Sequence, residues 1–138
     1  MTEQQKNNCL KHVQFLRDNA DRIRKDFNMC RVRHECGSPA CSLGFAYVSI
    51  EPREKSESIF GYCNRLFGFF PMDVLGKYCF SANWFDINNT PEAAAARMEA
   101  VVYNQVPEDW NELEYMLEFS HPIVQVGIDQ VNEIPIQV

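Results

Sequence analysis

The chain has 138 residues, of which 46% are hydrophobic and 23% are charged. These proportions are typical of a single globular domain and exclude a wholly disordered chain. The net charge of −6 also argues against general nucleic-acid binding, because neutralising phosphates requires clustered positive charge.

Neither an N-terminal apolar segment nor a run long enough to cross a bilayer is found in the sequence. We therefore expect a cytoplasmic protein without a membrane partner, whose six cysteines are free thiols. The charge is unevenly distributed. Residues 1–36 contain eight of the thirteen Lys and Arg residues, whereas residues 104–138 contain seven acids and no Lys or Arg.

The pattern of apolar residues predicts a mainly α-helical domain of five or six helices, spanning 1–138, with a short extended or β C-terminal tail. Apolar side chains from Leu10 to Phe27 recur at steps of three and four, which predicts a first helix over 8–27. Residues 1–8 are almost entirely polar and are expected to lack order. His12 lies off the apolar stripe, so we expect it at the surface.

The second predicted helix covers 39–49, with Ser38 as its N-cap and Pro39 in its first turn. It is apolar on nearly all sides, which predicts a central position in the core with helices 8–27 and 91–105 packed around it.

Three further helix boundaries are marked by local signals. Ser56 or Ser58 is expected to cap a third helix that Gly68 ends, and a short helix around Tyr78 follows. Thr90 then precedes a proline and a glutamate, which is a strong helix start.

The C-terminal part, residues 105–138, is interpreted as an addition to the core. It contains a predicted helix over 107–119 and a tail over 123–138, in which apolar and polar residues partly alternate as in a β-strand. A lone strand needs a partner, so this tail predicts a hairpin, an arm docked on the domain or pairing within a homo-oligomer.

The segment CRVRHECGSPAC, from Cys30 to Cys41, holds the densest set of reactive side chains. Cys30, His34, Cys36 and Cys41 supply the ligand types of a closed zinc site. Their spacing matches no common zinc knuckle or ribbon. We therefore predict no required cofactor, and zinc is the alternative.

A second interpretation of this segment is a nucleophilic cysteine. Cys36 and Cys41 lie near the predicted helix start, where the helix dipole stabilises a thiolate. Cys36-Gly37-Ser38 resembles the string that opens the catalytic helix of papain-like cysteine proteases, and His121 resembles their histidine. The spacing between Cys41 and His121 is much shorter than that family uses.

A third interpretation is anion binding, and it requires the fewest coincidences. Helix N-terminal N–H groups near Ser38, together with Arg31, Arg33 and His34, would suit a phosphate or carboxylate. An aromatic ring could stack on a base, and the candidates are Trp84, Phe85 and Tyr62.

Three ordered strings also resemble small uncharacterised proteins of bacteria and their phages. The first is Phe27-Asn28-Met29, the second is CGSPACSLGFA from Cys36, and the third is the TPEAAAARME helix from Thr90 to Glu99. The resemblance spans about residues 10–102. It implies a phage or prophage accessory protein acting in the host cytoplasm, and it implies no particular activity.

The sequence therefore favours a non-enzymatic binding protein that sequesters a small anionic, nucleotide-like ligand. One alternative is a module that binds a host protein through its acidic C-terminal third. The other is a cysteine-dependent hydrolase.

Overall fold

The structure is a computed structural model that describes residues 1–30, 32, 39–85, 88–106, 108 and 110, apart from the side chains of Asn83 and Phe85. Six α-helices and two short 3-10 helices form this part of the chain, and it contains no β-strand. The prediction of a mainly α-helical fold is confirmed. The predicted helix over 107–119 and the tail over 123–138 lie outside the described residues.

The first helix, α1 (Glu3–Asp18), begins five residues before the predicted boundary and makes residues 3–8 helical. Thr2 and Gln5 form a reciprocal capping box, so polar side chains satisfy the free backbone N–H groups of the first turn. Asn8 donates a hydrogen bond of 3.0 Å to the Leu66 carbonyl and ties this end to a later helix. Hydrogen bonds of polar side chains therefore order residues 3–8, which the pattern of apolar residues could not predict.

After Asn19 the chain continues as a short helix, α2 (Ala20–Ile23), and a 3-10 turn, Arg24–Asp26. The predicted apolar stripe of helix 8–27 is buried from Val13 to Phe27, although the helix is interrupted at Asn19.

The next helix, α3 (Ser42–Ser49), starts three residues after the predicted boundary. Its N-cap is Cys41, whose Sγ accepts a hydrogen bond from the Gly44 N–H. Six of its eight residues are buried, and Tyr47 and Val48 are exposed. The prediction that α3 is the centre around which the first and last described helices pack is wrong, because α3 packs against α1 and the later helix Val74–Phe80 but not substantially against the helix Pro91–Val102.

The remaining helices follow the predicted boundaries closely. Ser58 caps α4 (Ile59–Phe67), and Gly68 ends it in the left-handed conformation with φ 86°. Then come α5 (Val74–Phe80), a 3-10 turn (Ala82–Phe85) and α6 (Pro91–Val102), which Thr90 caps.

The centre of the fold is α1, which packs most extensively against α6 and also contacts α4 and α3. The run of alanines in α6 allows this approach, since Ala93, Ala94 and Ala95 are all buried. An ion pair reinforces the packing, because the Arg17 guanidinium of α1 binds the Glu99 carboxylate of α6 through two hydrogen bonds of 2.8 and 3.0 Å. In the part of the chain that the structure describes, no helix is both long and apolar enough to cross a membrane.

Candidate ligand pocket and buried polar groups

Most residues of the predicted site lie outside the described residues: Arg31, Arg33, His34, Cys36, Ser38 and His121. Their predicted roles stay predictions. The structure describes Cys30, Cys41, Tyr62 and Trp84, and it places Tyr62 in the lining of a cavity and the other three in different environments.

The two described cysteines of the zinc hypothesis differ in exposure. Cys30 is exposed, and its thiol lies 3.9 Å from the Ala82 carbonyl oxygen. Cys41 is buried at the start of α3. Within the described ranges, no three His, Cys, Asp or Glu side chains are grouped so that they could hold a metal ion.

Burial raises the pKa of the Cys41 thiol, and hydrogen bonds from backbone N–H groups only partly offset that effect. A reactive thiolate needs the opposite direction. Cys41 is therefore a buried helix cap, and its surroundings do not support the hypothesis that its thiol is a nucleophile.

Trp84 is part of the core and is not a surface stacking platform. Only 1% of it is exposed, and its indole N–H donates a 2.9 Å hydrogen bond to the Tyr78 carbonyl. The Arg97 guanidinium lies over the ring, 4.2 Å from its centroid.

A cavity of about 300 Å³ lies between α3, α4 and the chain near Val32. Its lining is mostly apolar and contains two tyrosines and one arginine: Val32, Leu43, Gly44, Tyr47, Arg53, Ile59 and Tyr62. The volume is at the lower end of the roughly 300–1,000 Å³ typical of small-molecule pockets. The cavity therefore suits a compact ligand with an apolar body.

One wall of the cavity depends on a close approach of two backbones. A Cβ atom at position 44 would overlap the Val32 carbonyl oxygen, so only glycine fits there. The same carbonyl accepts a 3.0 Å hydrogen bond from the Ala40 N–H. Val32 is thereby held against α3, and its two sequence neighbours are the predicted anion-binding residues Arg31 and Arg33.

Arg53 is the only charged residue among the described lining residues. Arg65 binds Glu57 through Nε and Nη2 and reaches Glu51 through Nη1. The pKa of Glu57 is lowered chiefly by Arg65 and to a smaller extent by the charge of Arg53. Within the described chain, no carboxylate forms an ion pair with Arg53. Its guanidinium can therefore serve an anionic group at the cavity.

Tyr62 gives the cavity a fixed aromatic wall. It is buried, and its hydroxyl donates a 2.5 Å hydrogen bond to the Glu51 carbonyl. Burial raises the pKa of Tyr62 to about 12, so the phenol stays neutral at physiological pH. Tyr47, by contrast, is 42% exposed and can cover a ligand from the solvent side.

Behind α3, a buried histidine joins the first helix to the wall of the cavity. The two ring nitrogens of His12 lie 2.6 Å from the Ser49 Oγ and 3.1 Å from the Ser42 Oγ. The histidine is fully buried, so the expectation of a surface position is wrong. Burial lowers the pKa of His12 from 6.5 to about 4, which keeps the ring neutral.

The sequence contained one signal for this pocket, which was the spacing of its lining. Leu43 and Tyr47 are four residues apart on α3, and Ile59 and Tyr62 are three apart on α4, so each pair shares a helix face. Nothing in the sequence indicated that these two faces meet, or that Arg53 joins them.

Comparisons with known proteins gave no match to a protein family, to a curated protein or to a solved structure.

Proposed function

We propose that the protein is a non-enzymatic binding protein that holds a small anionic ligand with an aromatic or apolar body in the cavity between α3 and α4. The observation that carries this proposal is the combination of an apolar cavity of about 300 Å³ with Arg53 in its lining. Apolar surface provides affinity, and one charged group fixes the ligand's orientation.

The nucleotide-like class is supported by the two tyrosines. A base can stack on an aromatic face, and Tyr47 is accessible for such a contact. A phosphate or carboxylate on the same ligand would then pair with the Arg53 guanidinium. The resemblance to bacterial and phage proteins supports sequestration in a host cell as the setting.

The test is native mass spectrometry of the full chain purified from cells without unfolding, compared with the same sample after denaturation. We expect a mass excess that disappears on denaturation and that is strongly reduced in Arg53→Gln. The matched control is Lys55→Gln, since Lys55 is exposed on the same connection and does not line the cavity.

Three results would count against the proposal: no mass excess, an equal loss in both variants, or recovery of a chemically altered ligand. The last result would instead indicate an enzyme. Circular dichroism of both variants would establish that the helices are intact.

A further inference from the structure

The helix α3 lies between the ligand cavity and a buried histidine of α1. Leu43, Gly44 and Tyr47 of this helix line the cavity. Ser42 and Ser49, its first and last residues, are seven positions apart and therefore share the other, inner face of the helix. Whatever holds the inner face of α3 thus also sets the position of the cavity wall.

His12 contacts α3 at both ends of the helix. Its Nδ1 lies 2.6 Å from the Ser49 Oγ, and its Nε2 lies 3.1 Å from the Ser42 Oγ. In the neutral ring one nitrogen donates a hydrogen bond and the other accepts one, and a serine hydroxyl can take either part. The neutral histidine therefore satisfies both of its nitrogens and ties α3 to α1 over the whole length of α3.

On its outer side, α3 is in close contact with the chain at Val32. A Cβ atom at position 44 would overlap the Val32 carbonyl oxygen, so the two backbones already touch. A shift of α3 away from His12 must therefore displace Val32 and change the shape of the cavity.

A charge on the His12 ring would have no counter-ion in the described core. The side chains that face the ring are the two serines of α3 and Phe67 of α4, whose ring lies 5.6 Å away. The titratable groups buried on these three helices or at their caps stay neutral, because burial raises the pKa of each: Cys9, Cys41, Cys63 and Tyr62. The charged groups of α6, which also packs against α1, are engaged elsewhere: Glu92 with Arg24, Glu99 with Arg17 and Arg97 with the Trp84 ring.

We propose that His12 is the positioning residue of the ligand cavity: its neutral ring holds α3 in the binding position, and its protonation releases α3 and with it the ligand. This inference rests on the proposed function, because it concerns the same cavity. α3 is the element that gives way, since α1 is also packed against α4 and α6, whereas α3 faces the cavity and, at Tyr47 and Val48, the solvent. Ligand and proton then compete, because the ligand requires α3 in place and the proton requires it displaced.

The size of the effect follows from the two environments of the ring. With α3 in place, burial holds the pKa of His12 at about 4, and no charged group of the described chain contributes to this change. With α3 displaced, water reaches the ring and its pKa returns to 6.5. Between pH 7 and pH 5, the ratio of displaced to held α3 should therefore rise about twenty-fold.

The test measures amide hydrogen exchange by NMR in the full chain at pH 7 and pH 5, corrected for the intrinsic pH dependence of exchange. An isolated helix of eight residues is unstable in water, so a displaced α3 exchanges its amides. In the wild type, the amides of α3 should open about twenty-fold more often at pH 5. In His12→Gln, whose side-chain amide takes up no proton, they should open equally often at both pH values. The amides of α3 should also exchange faster than those of α6, because α3 opens without unfolding of the domain.

Ser49→Ala is the second variant, since it removes one of the two contacts of His12 and adds no charge. It should raise the exchange of α3 amides already at pH 7. The test therefore does not depend on the folding of His12→Gln.

The ligand arm uses benzenesulfonate, an aromatic anion whose charge is the same at pH 5 and pH 7. Bound in the cavity, it should slow the exchange of α3 amides in the wild type, because it binds only while α3 is in place. Arg53→Gln should lose this protection, whereas the control Lys55→Gln should retain it.

The proposal is overturned if acid raises the exchange of α3 equally in the wild type and in His12→Gln, or if α3 exchanges no faster than α6. Unchanged exchange at pH 7 in Ser49→Ala would overturn it as well. A failure of the proposed function looks different: benzenesulfonate then protects no amide of α3 at pH 7, while the acid response of α3 and its loss in His12→Gln remain.

Discussion

Mild acid should destabilise this protein through a single histidine. His12 is fully buried between α1 and α3, with a serine hydroxyl at each ring nitrogen and the Phe67 ring 5.6 Å away. A neutral imidazole donates one hydrogen bond and accepts another, and both hydroxyls can complement it. Protonation leaves the hydrogen bonds feasible but places a charge where water cannot reach it.

The direction and size of the effect follow from the two pKa values. The folded protein lowers the pKa of His12 from 6.5 to about 4, because burial disfavours the charged ring. As the pH falls, the unfolded chain therefore binds the proton first, so stability is complete above pH 6.5 and is lost as the pH falls towards about 4. At roughly 1.4 kcal/mol per pKa unit, the loss is about 3 kcal/mol.

The assay is urea unfolding of the wild type and of His12→Gln at several pH values between 7 and 4, spanning both pKa values of His12. The variant should be less stable at neutral pH, yet its free energy of unfolding should depend much less on pH. Partnered acids such as Glu99, whose pKa Arg17 lowers, lose their stabilising contribution only as the pH falls below the ordinary carboxyl range. Both proteins share that contribution, so it cancels in the comparison.

Parallel losses of stability in the two proteins would refute the reasoning. So would an NMR titration that places the pKa of His12 near 6.5, since the ring would then be accessible to water in the folded state.

Two further predictions concern a glycine pair and an arginine pair. Gly44→Ala should lower the free energy of unfolding by about 1–3 kcal/mol and weaken ligand binding, because the added Cβ displaces Val32. Gly61→Ala should raise the free energy of unfolding by up to about 1 kcal/mol, because its Cβ meets no backbone atom and alanine favours the helix; thermal unfolding measures both. Arg24→Met should cost about 3–5 kcal/mol in urea unfolding, because its carboxylate partner is only 3% exposed. Arg17→Met, at a half-exposed pair, should cost less than about 1 kcal/mol, and equal costs would contradict this ranking.

Helix boundaries were predictable where a short local signal determines them. Ser58 and Thr90 cap α4 and α6 through hydrogen bonds within three residues, and Gly68 ends α4 in a conformation that glycine adopts easily. The start of α3 was mispredicted because Cys41, a weak acceptor, serves as the cap in place of Ser38.

Positions set by tertiary contacts were not predictable in the same way. His12 lies three residues after Cys9 and four before Leu16, both fully buried, so it occupies the inner face of α1 despite being polar. Its burial depends on Ser42 and Ser49, which are distant in sequence. Arg97 lies within an alanine-rich helix, and only the packing of Trp84 reveals that its charge is buried.

A ligand held by Arg53 should be released by salt, because this guanidinium is exposed at the cavity. Dissolved ions screen the attraction between the exposed Arg53 guanidinium and an anionic ligand. The screening length is about 8 Å at physiological ionic strength and becomes shorter as salt is added. Raising the salt concentration should therefore reduce the mass excess of the wild-type protein, whereas a ligand held by the apolar lining alone would be retained.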